Sequence, residues 1–518
     1  MIKNIKIQIS NIKNNWGWAI GCGSGIVVLF FILRLVNLTI LPVFCDEAIY
    51  IRWAQIMRFE PTLRFLPLSD GKQPLFMWFM IPFLSFFFDP LVAGRMVSVL
   101  AGFGSLIGIF LLTLQLFKNI KISLLTCLFY VISPFTVFFD RMALVDSLLA
   151  MFGIWVLYFG ILLVRYQRLD LAMISGAILG GALLTKSPAY FFVLLLPITA
   201  VFLPFKKNKF LLIQLIKLVG LWLVSYFIAY AIYNILRLGP NFQMIALRNK
   251  DYVFPLSHLF TNPLDPFKSH IVEIWQWYGI FLTWPVFFLG LMGIFLLLKK
   301  NWKIGILIFS WWFIPLLFQA EFAKVFTARY ILFSVPFFLI FIGFFLGFIF
   351  EKVKSSFLIF FILLILSFLP LKFDFLILKS PNDAPLPRNE RAGYLEEWTA
   401  GTGIKEAATF LKERAKEKKV LVGTEGYFGT LPDGLMIYLE KVPNINIIGI
   451  GLYPDKVPLP LIEGFKDNEV YLLINDERLS LRPEEHGLKL IASYPKTQRE
   501  NGTRQSLLLL KLEKVQEK

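Results

Sequence analysis

Apolar residues do not alternate along most of this chain; they come in uninterrupted runs separated by short stretches rich in Lys and Arg. Each run approaches the roughly 20 residues that carry a helix across a hydrocarbon core of about 30 Å. Backbone polar groups find no water there, so helix is the conformation these runs predict. The first span, 16–40, follows a basic start (Lys3, Lys6, Lys13). It is too long for a signal-peptide core and has no small-residue cleavage site, so it reads as a retained span with its N-terminus in the cytoplasm. Ten further spans are expected: about 95–117, 119–139, 142–165, 169–186, 187–205, 210–237, 274–299, 303–321, 331–352 and 355–371. The segment 75–88 is apolar but short, and it begins directly after Gln73-Pro74. It is expected as a re-entrant or interfacial helix.

The basic loops fix the direction of threading. Lys118/Lys121, Arg165/Arg168, Lys206/Lys207/Lys209, Lys299/Lys300/Lys303 and Lys352/Lys354 all fall on one side if 75–88 does not cross, which is the cytoplasmic bias of basic residues. If 75–88 crossed, every later basic cluster would be inverted. The threading leaves a first outer loop at 41–94 and a long outer loop at 238–273.

The pattern changes at Pro381. The stretch 381–390 is polar and Pro-rich, as a linker is. From 391 to 518 the charge density is that of a soluble domain. A helix is expected over 403–418, and "KKVLVGT", "NINIIGIG", "EVYLLIN", "KLIASY" and "SLLLLKL" read as strands. The fold class is thus an all-α polytopic membrane protein of about eleven transmembrane helices plus the re-entrant piece (domain 1–380), with a small C-terminal α/β domain. An odd number of spans places that domain outside the cell, and the chain in the plasma membrane.

Composition agrees. Of the 518 residues, 57% are hydrophobic and 17% charged, and 56 are Phe. The net charge of +17 would suit nucleic acid, but its confinement to short loops is explained by the membrane alone, so no nucleic-acid partner is expected. Cys22, Cys45, Cys127 and the isolated His258, His270 and His486 give no metal-ligand spacing. No metal site is expected; among cofactors a divalent cation is the only candidate.

The residues with chemistry gather on the outer side of this threading. Asp46-Glu47 follows the first span, Lys72 precedes Gln73-Pro74, Asp140, Arg141 and Asp146 sit at the outer junction of the third and fourth spans, Lys186 sits at an outer turn, and Arg329-Tyr330 opens the tenth span. A carboxylate beside several cations suits sugar transfer from a lipid phosphate. The attacking hydroxyl must lose a proton to a base, whereas a phosphate leaving group needs cations and no second acid. Glycoside hydrolysis would instead call for carboxyls flanking the bond.

In these same motifs (Asp46-Glu47, Lys72-Gln73-Pro74-Leu75, Ser133-Pro134 to Arg141 and Asp146, Thr185-Lys186, Arg329-Tyr330) the chain resembles the GT-C integral membrane glycosyltransferases. The branch is that of the dolichyl-phosphate-mannose protein mannosyltransferases and the aminoarabinose transferase acting on lipid A. Gln73-Pro74 departs from the two prolines common there. The resemblance implies a polyprenyl- or dolichyl-monophosphate sugar donor, inversion at the anomeric carbon, and a lipid, glycan or protein acceptor. It implies Asp46 as the base, with Glu47 supporting it or positioning the acceptor. Lys72, Lys186 and Arg329 would hold the donor phosphate, with Tyr330 nearby. Arg141 and Asp146 would be structural or contact the substrate. The "WWDYG" signature of oligosaccharyltransferases is absent, as is a large repeat domain in an outer loop.

Each residue also has a plainer reading. An Asp-Glu pair after a span is commonly a helix cap, Lys72 could reach for headgroups, and Arg34 could snorkel or pair with an outer-loop acid. The competing function is a transporter or lipid flippase. That class would place ionisable residues at mid-membrane and repeat its spans, and the sequence shows neither.

Overall fold

The computed structural model describes residues 16–203 and 210–514. The basic start (Lys3, Lys6, Lys13) and the Lys206/Lys207/Lys209 loop lie outside the described residues. The chain is a multi-pass helical membrane domain followed by a small mixed-sheet domain. Among the described residues, seven helices are long and apolar enough to cross a membrane. They include α1 (Trp16–Leu35), α4 (Pro90–Phe117), α7 (Val145–Tyr166), α14 (Trp302–Phe322) and α16 (Ser356–Lys379), together with the segments Leu212–Leu238 and Ala328–Lys352. Leu212–Leu238 contains most of helix α10 (Phe210–Tyr233), and Ala328–Lys352 holds a 3₁₀ turn followed by α15 (Val335–Lys352). Two bent pairs qualify as broken spans: α5 (Ile120–Val131) with α6 (Pro134–Asp140) at 59°, and α12 (Phe267–Phe281) with α13 (Trp284–Lys300) at 113°.

The two remaining expected spans are short. Helix α8 (Leu169–Leu183) has 15 residues, roughly 22 Å of helix. The segment Ser187–Phe202 is α9 (Tyr190–Leu195) between two 3₁₀ turns that each carry a proline, Pro188 and Pro197, where the missing N–H prevents a regular ladder.

The boundaries differ from the sequence reading in several places, among them the last span, which runs to Lys379 and not to 371. Helix α1 stops at Leu35, five residues before the expected end. The span expected from residue 274 is instead the sharply bent pair, with α12 already starting at Phe267 and the direction changing at Thr283 (φ +66°) before Pro285. The region 238–273 is therefore not all loop; it also holds α11 (Met244–Tyr252).

The short apolar segment forms α3 (Leu75–Phe86), 12 residues long, about 18 Å. It buries Phe76, Met77 and Met80 and packs against α4 and against α2 (Cys45–Phe59), which follows the first span.

The C-terminal domain has α17 (Ile404–Glu417), β1 (Val420–Thr424), α18 (Asp433–Leu439), β2 (Ile445–Gly449), β3 (Glu469–Asn475), β4 (Leu488–Pro495) and β5 (Ser506–Leu512). The sheet order is β2-β1-β3-β5-β4, with the first three parallel and the last two antiparallel. Strands β1 and β3 are almost fully buried, as expected for central strands read as unbroken apolar runs. The domain grips the bundle at the end that carries α2: Phe44 bridges Ala400, the Cys45 N–H donates to the Thr399 carbonyl at 3.0 Å, and the Gly401 N–H donates to the Val43 carbonyl at 2.8 Å. Helix α18 lies against α2, and Trp53 meets the Phe428 ring at 5.7 Å.

Candidate active site

Asp46 and Glu47 occupy successive positions in the first turn of α2, so helical rotation of about 100° per residue turns them apart. Their surroundings differ accordingly. Glu47 is fully buried and forms a bidentate pair with Arg95, at 2.8 and 2.7 Å. It also accepts the Ala143 N–H at 2.6 Å and the Phe44 N–H at 3.0 Å. Arg95 spends its remaining donors on the carbonyls of Leu38, Leu41 and Pro42. Glu47 thus closes a knot between α2, α4 and the loop before α7, and it does not face the cavity where the other candidates meet.

Arg141 is likewise buried. Its guanidinium donates to the carbonyls of Leu33, Arg34, Val36 and Asn37 at 2.8–3.1 Å, satisfying the orphan carbonyls at the C-terminus of α1. These contacts hold Arg141 within the bundle, and it does not line the cavity where Asp46 lies. Arg34 pairs with Asp140 at 3.3 Å inside the bundle, where Tyr130 and Ser147 also donate to that carboxylate.

Asp46 points the other way, into a cavity of about 540 Å³ whose lining also includes Lys72, Lys186, Arg329 and Tyr330. The Arg329 guanidinium is 2.6 Å from one Asp46 oxygen, and the Lys72 ammonium is 3.5 Å from the other. Burial alone would push the Asp46 carboxyl up, but Lys72 and Arg329 overcome it and hold the group well below the usual carboxylate range. Burial would likewise pull Lys72 down, and Asp46 reverses the sign. Lys72 also lies 3.3 Å from Asp70 and over the Tyr50 and Trp53 rings.

Lys186 pairs with Asp146 at 2.6 Å and sits 4.2 Å from the centre of the Tyr330 ring. Burial pulls its ammonium below the ordinary value despite that partner. Asp146 therefore reaches the site through Lys186.

The loops carrying these cations are locked together. Gln73 donates to the Ser187 hydroxyl at 3.0 Å, and the Leu75 N–H donates to the Leu184 carbonyl at 3.2 Å. Gly71 adopts φ +67°, and a Cβ there would come within 2.6 Å of the Met244 carbonyl oxygen and the Arg248 Cβ, so only glycine lets α11 close over the loop.

The sequence reading missed that closure. Arg248 and Tyr252, one helical turn apart on α11, line the same cavity, as do Tyr50 and Asn249. Arg248 reaches Asp70 at 3.3 Å. The signal was present as a cation and an aromatic at i and i+4 in "LRNKDY", but a region read as loop gave that spacing no meaning. Away from the charged end the walls are mainly apolar. Leu194 and Phe318, which line the cavity, are also strongly exposed (69% and 48%). Among the described residues, no three His, Cys, Asp or Glu side chains gather to hold a metal ion.

Residues 71–233 match the model of the dolichyl-phosphate-mannose-protein mannosyltransferase family. That segment contains Lys72, Asp146 and Lys186 but not Asp46 or Arg329. No curated protein matches the sequence. The crystal structure of ArnT from Cupriavidus metallidurans in the apo state superimposes with a TM-score of 0.58 at 13% identity, covering 95% of this chain and 98% of that one. The same protein bound to undecaprenyl phosphate gives a TM-score of 0.54 at 13% identity, covering 96% and 98%. The fold is that of ArnT over essentially the whole length, and the family match lies within the membrane domain.

Proposed function

We propose that the chain is an inverting glycosyltransferase that moves a sugar from a polyprenyl-monophosphate donor to a hydroxyl acceptor, a lipid, glycan or protein, at the outer face of the plasma membrane. The observation carrying this reading is one cavity with a carboxylate and three cations at its head and apolar walls behind them. The exposed Leu194 and Phe318 on those walls suit a prenyl chain entering sideways from the bilayer. ArnT of the same fold binds undecaprenyl phosphate, which supports that donor class here.

In this reading Lys72, Lys186 and Arg329 take the donor phosphate, and Arg248 extends the cationic rim. Charge-assisted contacts of this kind bind the phosphate and stabilise the charge that grows on it as the anomeric C–O bond breaks. The acceptor oxygen attacks the opposite face, its proton passes to Asp46, and the new C–O bond forms as the polyprenyl phosphate leaves.

Held by Arg329 and Lys72, Asp46 is a weak base. A phosphate arriving beside those cations offsets their charge, so the carboxyl's pKa rises towards a useful value. Donor binding thereby activates the base. Sugar transfer from polyprenyl-phosphate donors by the chain in proteoliposomes tests the reading. Product formation that requires the lipid phosphate supports it; no transfer with any such donor, by a folded protein, removes it.

A further inference from the structure

A second cavity, of about 560 Å³, lies at the seam between the two domains and shares no lining residue with the first. Residues 39–43 after α1, Leu91 at the start of α4 and 379–382 at the end of α16 form one wall. The start of α17, Lys496 and Arg504 form the other. Val43 faces this cavity and Asp46, three residues on, faces the first, so the bridged stretch at Phe44 and Ala400 separates them.

The lining is mainly polar and its charges are unbalanced. Lys379, Lys405, Lys496 and Arg504 face a single acid, Glu406. Lys405 is committed to Asp89 at 2.6 Å. Lys379 and Arg504 form no ion pair among the described residues.

Lys496 carries the argument. It is only 2% exposed, and its ammonium donates to the Glu397 carbonyl at 2.8 Å with no carboxylate in ion-pair range among the described residues. A buried cation without a counter-ion is costly; burial pulls this one down to about 8, against the more distant pull of Glu425 and Asp476. The wall opposite adds the first turn of the 14-residue α17, whose N-cap is Gly403 and offers no capping side chain. Its free N–H groups and positive dipole end favour an anion there.

We propose that this seam cavity is a binding site for a phosphate-bearing group, held by Lys496 with Lys379 and Arg504. The residues after α1, before α4 and at the end of α16 all stand at the same end of the bundle, so a lipid headgroup phosphate and a free phosphate could both reach it. The inference stands independently of the sugar-transfer reading.

The test uses the full chain in dodecyl maltoside micelles, whose headgroup carries no phosphate, with inorganic phosphate added in one arm and phosphatidylglycerol in the other, reading the shift in melting midpoint. A background of Lys72→Gln with Lys186→Gln takes two of the cations from the first cavity and so most of its contribution. In that background, Lys379→Gln with Arg504→Gln (both exposed positions) should weaken the response about tenfold or more in apparent affinity. Lys496→Met should melt higher than its parent without phosphate, because it removes an uncompensated buried charge, and should respond no further to phosphate. A response in the phosphatidylglycerol arm alone supports a lipid source, and one in the phosphate arm alone supports a soluble source. No response in either arm, or one that survives all three substitutions, overturns the proposal.

Discussion

Two arginine–carboxylate clusters stand back to back across the first turn of α2, and they have opposite uses. On one side Glu47 and Arg95 are both fully buried, and every polar atom of the pair is answered by protein. On the other, Asp46 and Arg329 remain 17% and 11% exposed to a cavity. A buried bidentate pair with no room around it can only fix geometry, because any ligand would have to break it at the cost of stranding a charge. A pair at a cavity wall can exchange partners when a phosphate arrives. The same chemical contact is scaffold in one place and machinery in the other, and access to the cavity makes the difference.

The largest test of that contrast is Asp46→Asn. It keeps size and removes the basic lone pair, so transfer should fall about 10²- to 10⁴-fold, measured as product from a polyprenyl-phosphate sugar, while the melting midpoint stays near that of the wild type. Glu47→Gln should do the reverse. Leaving Arg95 buried without its charge partner should cost about 3–5 kcal/mol of stability, read as a lower melting midpoint or lost yield, with the folded fraction still turning over. If Glu47→Gln melted normally and was inactive, the division between the clusters would be wrong.

Lys72→Met should be milder, weakening donor use about 10- to 100-fold at one charge-assisted contact. It should act in the Michaelis constant for the donor more than in the acceptor's. The smallest effect concerns Glu390, which accepts the Ala328 N–H at 2.7 Å beside Arg329 and is pushed by burial to about 7. Its folded value is raised above the ordinary carboxyl value, so its contribution to stability is full below about pH 4.5 and is lost as pH rises through 7, at most about 3 kcal/mol. Glu390→Gln should flatten the fall of the melting midpoint between pH 5 and pH 8; an unchanged slope would place that titration elsewhere.

Much of this was legible from the pattern of residues. The long apolar runs and the five strand runs of the C-terminal domain carry their own period and length, so they read directly. The 113° turn between α12 and α13 was not legible, because apolar character runs on through Leu282 and Thr283 while the direction changes; Pro285 was the only local mark. Asp46 and Glu47 are indistinguishable as a dipeptide. Helical rotation predicts that they diverge, but which one meets the cavity depends on Arg95, which is 48 residues away. Arg248 and Tyr252 enter the site only because α11 folds back over Gly71; their i, i+4 spacing marks a shared helix face but not the long-range closure that brings it to the cavity.

The short bridge between Phe44 and Ala400 also bears on how such a protein can be rebuilt. It ties the turn that presents Asp46 to the C-terminal domain, and Glu390 ties the strand-like approach to Arg329 to the linker that leads into that domain. Asp46 and Arg329 are thus both held from the far end of the sequence. A chimera that keeps this membrane bundle but borrows another C-terminal domain must carry residues 43–45 and 327–329 along with the graft; the two parts are separable as folds but form a single unit of exchange.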